Sequence, residues 1–347
     1  MSNVARLEPL TEKPWPRLSD PHAPEAAAPI EDEALKIVAI GGGSGQANLL
    51  RGLKLRTSKL SSVVTVADDG GSSGRLRRDM GVLPPGDVRR CILALANAEP
   101  LMERLFQYRF EESDGEGIKG HSFGNLFIVA MSRVAGSMEA GIRETARVLA
   151  VDGAIHPSTL EDVILCARMA DDTVVCGESA IPKAAGPISE VWLEPTKPPV
   201  NQDAADAILD ADVVVIGPGS LYTSIIPNLL VPGIRDALQR TSATKLFVVN
   251  VATQPGETDG FDAARHYQAA SEYMGDDVVD FVLANNNHSG SLPSEWHTSA
   301  VVASSPADFG SAQLVLDDLI FPDDPYRHDS DLLADLVVRT AVQVRTT

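Results

Sequence analysis

Residues Ala34–Leu53 read ALKIVAIGGGSGQANLLRGL. The opening run ALKIVAI is short, apolar and rich in β-branched residues, and it stops abruptly at Gly41. That pattern suits a strand buried on both faces. Leu49, Leu50 and Leu53 then recur at helical spacing. A buried strand, a glycine turn and a helix in immediate succession predict a parallel sheet, because parallel strands need crossovers that cover its faces.

The alternation continues outward. SVVTVA reads as a second strand, and GDVRRCILALAN as a helix behind Pro84 and Pro85 with Asp87 as its expected N-cap. HSFGNLFIVAMSRVAG is an apolar helix expected to start at a Ser122 cap, and SMEAGIRETARVLAV and STLEDVILCARMA read as two more. TVVCGE and ISEVWLEP read as short strands, an antiparallel pair appended to the main sheet. DAADAILDA is a helix, DVVVIGPGS a buried strand with its loop, and PNLLVPGIRDALQR a helix broken by proline. TKLFVVNVAT and DDVVDFVLANN are buried strands, and DSDLLADLVVRTAVQ is the last helix. The expected fold is α/β: a Rossmann-like, largely parallel sheet with helices on both faces and a small antiparallel strand addition, in one domain over residues 34–347. Residues 1–33 are rich in Pro, Ala and acid without apolar periodicity, and read as a disordered leader.

The formal charge is −19. Through Glu33, three basic residues face seven acidic ones, so most of the excess lies in the body. A chain this acidic has no basic field to release counterions from phosphates, which argues against nucleic acid and anionic lipid as partners. Anionic ligands must be held by local amides and a few arginines. Cys91, Cys166 and Cys176 are sparse, with no C-x-x-C, and read as reduced thiols filling the core. No run approaches the ~18 apolar residues of a membrane span. Cytoplasm is the expected compartment. The oligomeric state stays open, a homo-oligomer included.

In an open parallel sheet, ligands bind beyond the carboxyl ends of the strands, where strand order reverses. Gly41, Gly42, Gly43 and Gly45, with Ser44, follow the first strand and open a helix, a place for backbone N–H groups to crowd a phosphate. The spacing is not the dinucleotide fingerprint G-x-G-x-x-G, which needs glycine at Gln46, and no G-K-[ST] of a P-loop follows. Asp68 and Asp69 end the second strand, where a carboxylate accepts hydrogen bonds from ribose hydroxyls. Ser72 and Ser73 follow within a flexible GGSSG. Arg89 and Arg90 fall in the first turn of a helix, where cations oppose the helix dipole unless a ligand anion compensates.

Gly217, Gly219, Ser220 and Tyr222 form a second glycine-rich strand end. Asn250, Thr253, Gln254 and Thr258 give neutral hydrogen-bonding groups at another, as do Asn285 and Asn286, and His121 and Asn125 precede an apolar helix. Together these groups line a pocket for a hydroxylated phosphate ester: a nucleotide, a sugar, or both. No His/Cys cluster has metal-ligand spacing. Asp68 and Asp69 could take Mg²⁺ with help from ligand phosphates.

The segments IVAIGGGSGQANLLRGLK, TVADDGGSSGRLRRDMGVLPPGDVRRCILALA, GHSFGNLFIVAM, GESAIPKAAGPISEVWLEP, VVVIGPGSLYTSIIPNLLVPGI and NVATQPGETDGF closely resemble the YvcK-like gluconeogenesis factors, a branch of the CofD-like family. The resemblance runs in order over roughly residues 35 to 325. It implies a cytoplasmic protein that binds UDP-sugars, UDP-N-acetylglucosamine in particular, and is needed for cell shape and cell-wall synthesis on gluconeogenic carbon. A protein partner in cell-wall synthesis fits that implication. The related CofD enzymes imply the alternative of a Mg²⁺-dependent phospholactyl or phosphoenolpyruvyl transferase; the long DDGGSSGRLRRDMGVLPPGD form looks like the YvcK branch. An NAD-binding Rossmann protein with Asp68 on the ribose is the third reading.

Overall fold

The computed structural model describes residues 34–345, apart from 116, 185, 276, 290, 291, 322 and 323. The expected leader, residues 1–33, lies outside the described residues. The strands are β1 (Ile37–Gly41), β2 (Leu60–Val64), β3 (Ala154–Pro157), β4 (Ile164–Met169), β5 (Val174–Cys176), β6 (Ile188–Glu194), β7 (Val213–Ile216), β8 (Thr244–Val248), β9 (Phe281–Asn285), β10 (Gln313–Asp317), β11 (Ile320–Phe321) and β12 (Asp324–His328). The α-helices are α1 (Gly43–Leu53), α2 (Gly71–Met80), α3 (Gly86–Leu95), α4 (Pro100–Gln107), α5 (Phe123–Ala135), α6 (Met138–Val148), α7 (Gln202–Leu209), α8 (Ile226–Leu229), α9 (Pro232–Arg240), α10 (Ala263–Met274) and α11 (Ser330–Arg345).

Seven strands form a sheet in the order β10-β9-β8-β7-β1-β2-β3, and every pairing in it is parallel. Alternation along each strand splits the interior into two cores. Val38, Ile40, Val214 and Ile216 pack with α7, α9 and α10 on one face. Ile37, Ala39, Val213 and Val215 pack with α1, α3 and α11 on the other. Both faces are therefore covered, and this explains the continuous apolar runs. From β1 the chain winds outward through β2 and β3, then returns to β1's other side as β7. The reversal places a switch point at the carboxyl ends of β1 and β7.

The small sheet differs from its sequence reading. Residues 164–169, expected as helix, form β4, the centre of a separate three-stranded antiparallel sheet β5-β4-β6. A helical period fits VILCARM as well as a strand period does, and the neighbours decide: Leu165 and Ala167 bury against Val191 and Leu193. β5 and β6 thus flank β4 and do not pair with each other. Cys166 and Cys176 stand opposite one another on β4 and β5 and are joined by a disulfide, correcting the expectation of reduced thiols. Ten residues of separation hid a hairpin register that brings them together. Cys91 alone is free and buried, with its thiol pushed up to about 12 by burial.

Two local expectations also shift. Asp87 is not the N-cap of α3; Pro85 holds that position and Asp87 lies in the first turn. β2 ends at Val64, four residues before Asp68. The GGSSG stretch, read as flexible, supplies the start of α2.

Candidate functional site

The turns after β1 and β7 meet. A methyl group added at Gly45 would lie 2.7 Å from the carbonyl oxygen of Pro218. Gly43 has φ +68°, which any larger residue holds only with strain. Asn250 braces the second turn from β8: its Nδ2 donates to the Gly219 carbonyl at 2.7 Å and its Oδ1 accepts from the Gly219 N–H at 3.1 Å. Gln254 Nε2 donates to Ser220 Oγ at 2.8 Å. Gln46, where a dinucleotide site would carry glycine, is fully buried and donates to the Ala39 and Val63 carbonyls and to Ser62 Oγ. It fastens α1 to β1 and β2.

Two hollows open on either side of this junction. The first, about 130 Å³, is walled by Gly42–Gly45, Pro218–Ser220, Asn250, Gln254 and, from the C-terminal part of the chain, Tyr326–His328. The second, about 380 Å³, is walled by Asp68, Gly70–Ser73, Asp87, Arg89, Arg90, Arg109, Asn125, Glu178 and Ser224. Gly43, Ser44 and Ser220 belong to both. A larger hollow of about 630 Å³ lies elsewhere, between α6 and the edge strand β3, and none of the residues singled out in the sequence lines it.

Electrostatically the second hollow has two sides. Arg89 donates through Nε to Asn125 Oδ1 at 2.9 Å, and burial together with Arg90 and Arg109 lowers its guanidinium to about 10. Arg90 pairs with Asp87. Burial raises the Asp87 carboxyl, partly opposed by Arg90. Glu178, from the turn after β5, is pushed up to about 8 by burial and then by the charges of Asp68 and Asp87. At neutral pH its carboxyl is protonated and can donate a hydrogen bond.

The remaining sequence candidates lie behind the walls. Gly41 ends β1 and its carbonyl accepts from Asn228. Asp68 Oδ1 accepts the Gly70 N–H at 2.9 Å, and Asp69 Oδ1 accepts the Ser179 N–H at 2.8 Å. Among the described residues, no group of three or more His, Cys, Asp and Glu is placed to hold a metal.

His121 meets Ser72 Oγ at 3.0 Å, and burial lowers its pKa. Gly217 supports the second turn with φ +83°. The Tyr222 N–H donates to Glu257, whose carboxyl burial raises. Thr253 bonds Ser299, and Thr258 Oγ1 accepts the Gln254 N–H. Sequence reasoning missed Glu178, Arg109 and the 326–328 wall. A single acid after a short strand and a residue some 280 positions from the first turn carry no spacing signal.

A parallel sheet with glycine turns abutting at its switch point, beside an arginine-bearing polar cleft, defines a Rossmann-like α/β protein. Comparison fixes the family: the model described as 2-phospho-L-lactate transferase CofD matches residues 37–307, and the chain belongs to the CofD family. It is 49% identical over 249 residues to the gluconeogenesis factor of Halalkalibacterium halodurans, covering 72% of this chain and 77% of that protein. It is 42% identical over 312 residues to the gluconeogenesis factor of Bacillus subtilis, covering 87% and 97%. A crystal structure of a Bacillus halodurans protein superposes with a TM-score of 0.83 at 40% identity, covering 88% of this chain and all of that one. These relatives place the chain with the gluconeogenesis factors, the branch the glycine-rich segments resemble. Among the described residues, no helix is long and apolar enough to cross a membrane.

Proposed function

We propose that this protein is a cytoplasmic regulator that binds a nucleotide-sugar of the UDP-N-acetylglucosamine type and couples carbon supply to cell-wall synthesis and cell shape. The observation that carries the reading is the abutment of the Gly45 and Pro218 turns at the switch point. The N-cap Gly42 has no side chain to close the first turn of α1; Asp87 accepts the Gly43 N–H, and the N–H groups that follow it are the ones a diphosphate would take. Asn250 and Gln254 hold the facing turn in place. Asp68, in the neighbouring hollow, is an acceptor for sugar or ribose hydroxyls. Calorimetric titration with UDP-N-acetylglucosamine tests the proposal: saturable binding is expected, and none at millimolar ligand overturns it.

A transferase of the CofD kind is the second reading, favoured by the family match and by the arginine-bearing hollow. Electrostatic clamping by Arg89 and Arg90, with Mg²⁺ recruited through ligand phosphates, is what transfer of a phospholactyl or phosphoenolpyruvyl group needs. Turnover of a guanosine-linked donor would select it. NAD binding is disfavoured by Gln46, whose amide is committed to three internal bonds where the dinucleotide site needs a glycine.

A further inference from the structure

The disulfide sits where the core does not need it. A chain of 347 residues with two buried cores is not among the small domains that depend on covalent ties. On β4, Leu165, Ala167 and Met169 point inward and bury with Val191 and Leu193. Cys166 alternates with them on the outer face, level with Trp192 of β6. β6 pairs with β4 along its whole length, so that half of the small sheet stands without the bond.

β5 is different. It is three residues long, with Val174 and Cys176 exposed and Val175 half-buried. An edge strand with so little buried surface opens easily, and the bond to Cys166 is its covalent anchor to β4. Cys166 is buried and Cys176 exposed, so a reductant meets the bond from the β5 side while the chain stays folded. Cys91, buried with its thiol pushed up to about 12, is unsuited to take part in exchange.

β5 also runs directly into the turn beside the polar hollow. The Gly177 N–H donates to the Leu165 carbonyl at 2.8 Å, Glu178 lines the hollow, and the Ser179 N–H donates to Asp69. Loosening β5 frees this turn at its upstream end. Glu178 then reaches water and ionises, which adds a negative charge beside the place assigned to a diphosphate.

We propose that Cys166 and Cys176 form a thiol–disulfide switch: oxidised, the bond clamps β5 and the Glu178 turn in place, and reduced by a dithiol of the thioredoxin kind it releases them and weakens nucleotide-sugar binding. The compartment and the affinity change rest on the function proposed above; the reduction and the release of the turn do not. One thiolate of the reductant attacks Sγ of Cys176, the S–S bond breaks, and Cys166 leaves as a thiolate and takes a proton. The reductant's second thiolate then displaces Cys176, which is protonated in turn. Two electrons and the dithiol's two protons end on the cysteines, and the reductant becomes a disulfide. In a reducing compartment, transient and redox-sensing bonds are the usual kind.

The full-length oxidised protein is treated with catalytic thioredoxin, its reductase and NADPH, without denaturant. Samples are acid-quenched, unfolded and alkylated, and free thiols are read peptide by peptide by mass spectrometry, with Cys91 as the internal standard. Cys166 and Cys176 are expected to appear together as thiols while circular dichroism stays unchanged. Amide exchange over residues 174–179 should then quicken at least tenfold, with β6 unaffected. Affinity for UDP-N-acetylglucosamine should fall at least threefold and return on reoxidation with diamide. Cys176→Ser should bind as the reduced protein does, with or without the reductant.

A bond that survives for as long as the chain is folded overturns the proposal. So does unchanged exchange over residues 174–179 after reduction, or saturable binding of equal affinity in both states. If Cys176→Ser fails to fold, the reduced and reoxidised wild type decide. A protein that binds no UDP-sugar in either state refutes the proposed function, and labelling and exchange then decide the switch by themselves.

Discussion

Replacing Glu178 by glutamine keeps the side chain's size and removes its titration. In the unfolded chain this carboxyl ionises near its usual 4.5, whereas in the fold it holds its proton up to about 8. Between those values the native state binds more protons than the unfolded state, so stability falls as pH rises. The contribution is fully present below 4.5 and lost by the time pH has passed 8. Integrated from pH 6 to pH 9, it amounts to roughly 2.5 kcal/mol, or roughly 4 °C in melting temperature for a chain of this size. Asp87 adds a slope of the same sign, but it does so in both proteins. The readout is therefore the difference between wild type and Glu178→Gln, measured by scanning calorimetry in phosphate-free buffers. The variant should gain on wild type steadily from pH 6 to pH 9. Melting temperatures that run parallel across that range would mean that Glu178 ionises normally in the fold, and the account of the acidic wall would fail.

Gly45→Ala drives a methyl into the Pro218 carbonyl; a loss of roughly 1–3 kcal/mol and loss of nucleotide-sugar binding are expected, by denaturant melts and titration. Unchanged binding would show that the two turns need not touch. Gln46→Leu leaves the Ala39 and Val63 carbonyls and Ser62 without their shared donor, and should cost roughly 1–3 kcal/mol while creating no dinucleotide affinity, checked by the urea midpoint and an NAD titration. Reducing the Cys166–Cys176 bond should cost roughly 3 kcal/mol by loop closure across a sequence separation of 10. Alkylation of the denatured, unreduced chain should label Cys91 alone, and labelling of all three would refute the bridge.

The sheet was legible because parallel strands buried on both faces must be apolar without interruption, and IVAI, VVVI and KLFVV say so directly. The glycine turns were legible for the same reason, since each sits at the abrupt end of such a run. β4 was not, because an amphipathic stretch of six residues fits two periods and its partners lie up to 30 positions away. Nor was the division of labour within the site. Adjacent Asp68 and Asp69 look equivalent as letters, yet the chain turns between them, so one faces the hollow and the other fastens the turn carrying Glu178. Neighbours in sequence share a position but not a direction, and direction decides which side chain can meet a ligand.

Asp69 also ties the acidic wall to the small sheet. Its Oδ1 takes the Ser179 N–H, one residue beyond Glu178, and the disulfide-linked Cys176 lies two residues before it. Glu178 is thus pinned on both sides, which a carboxyl held neutral among Asp68 and Asp87 requires: left free, it would swing to water and ionise. The opposite wall is fixed with equal economy, Arg89 by Asn125, and Asn125 by the Ser122 cap of α5. In a chain of formal charge −19 the long-range field repels every phosphorylated molecule. Affinity for one must come from groups held rigid at contact distance, and the three sets of anchors that converge on the second hollow, those of Glu178, Arg89 and the glycine turns, supply that rigidity.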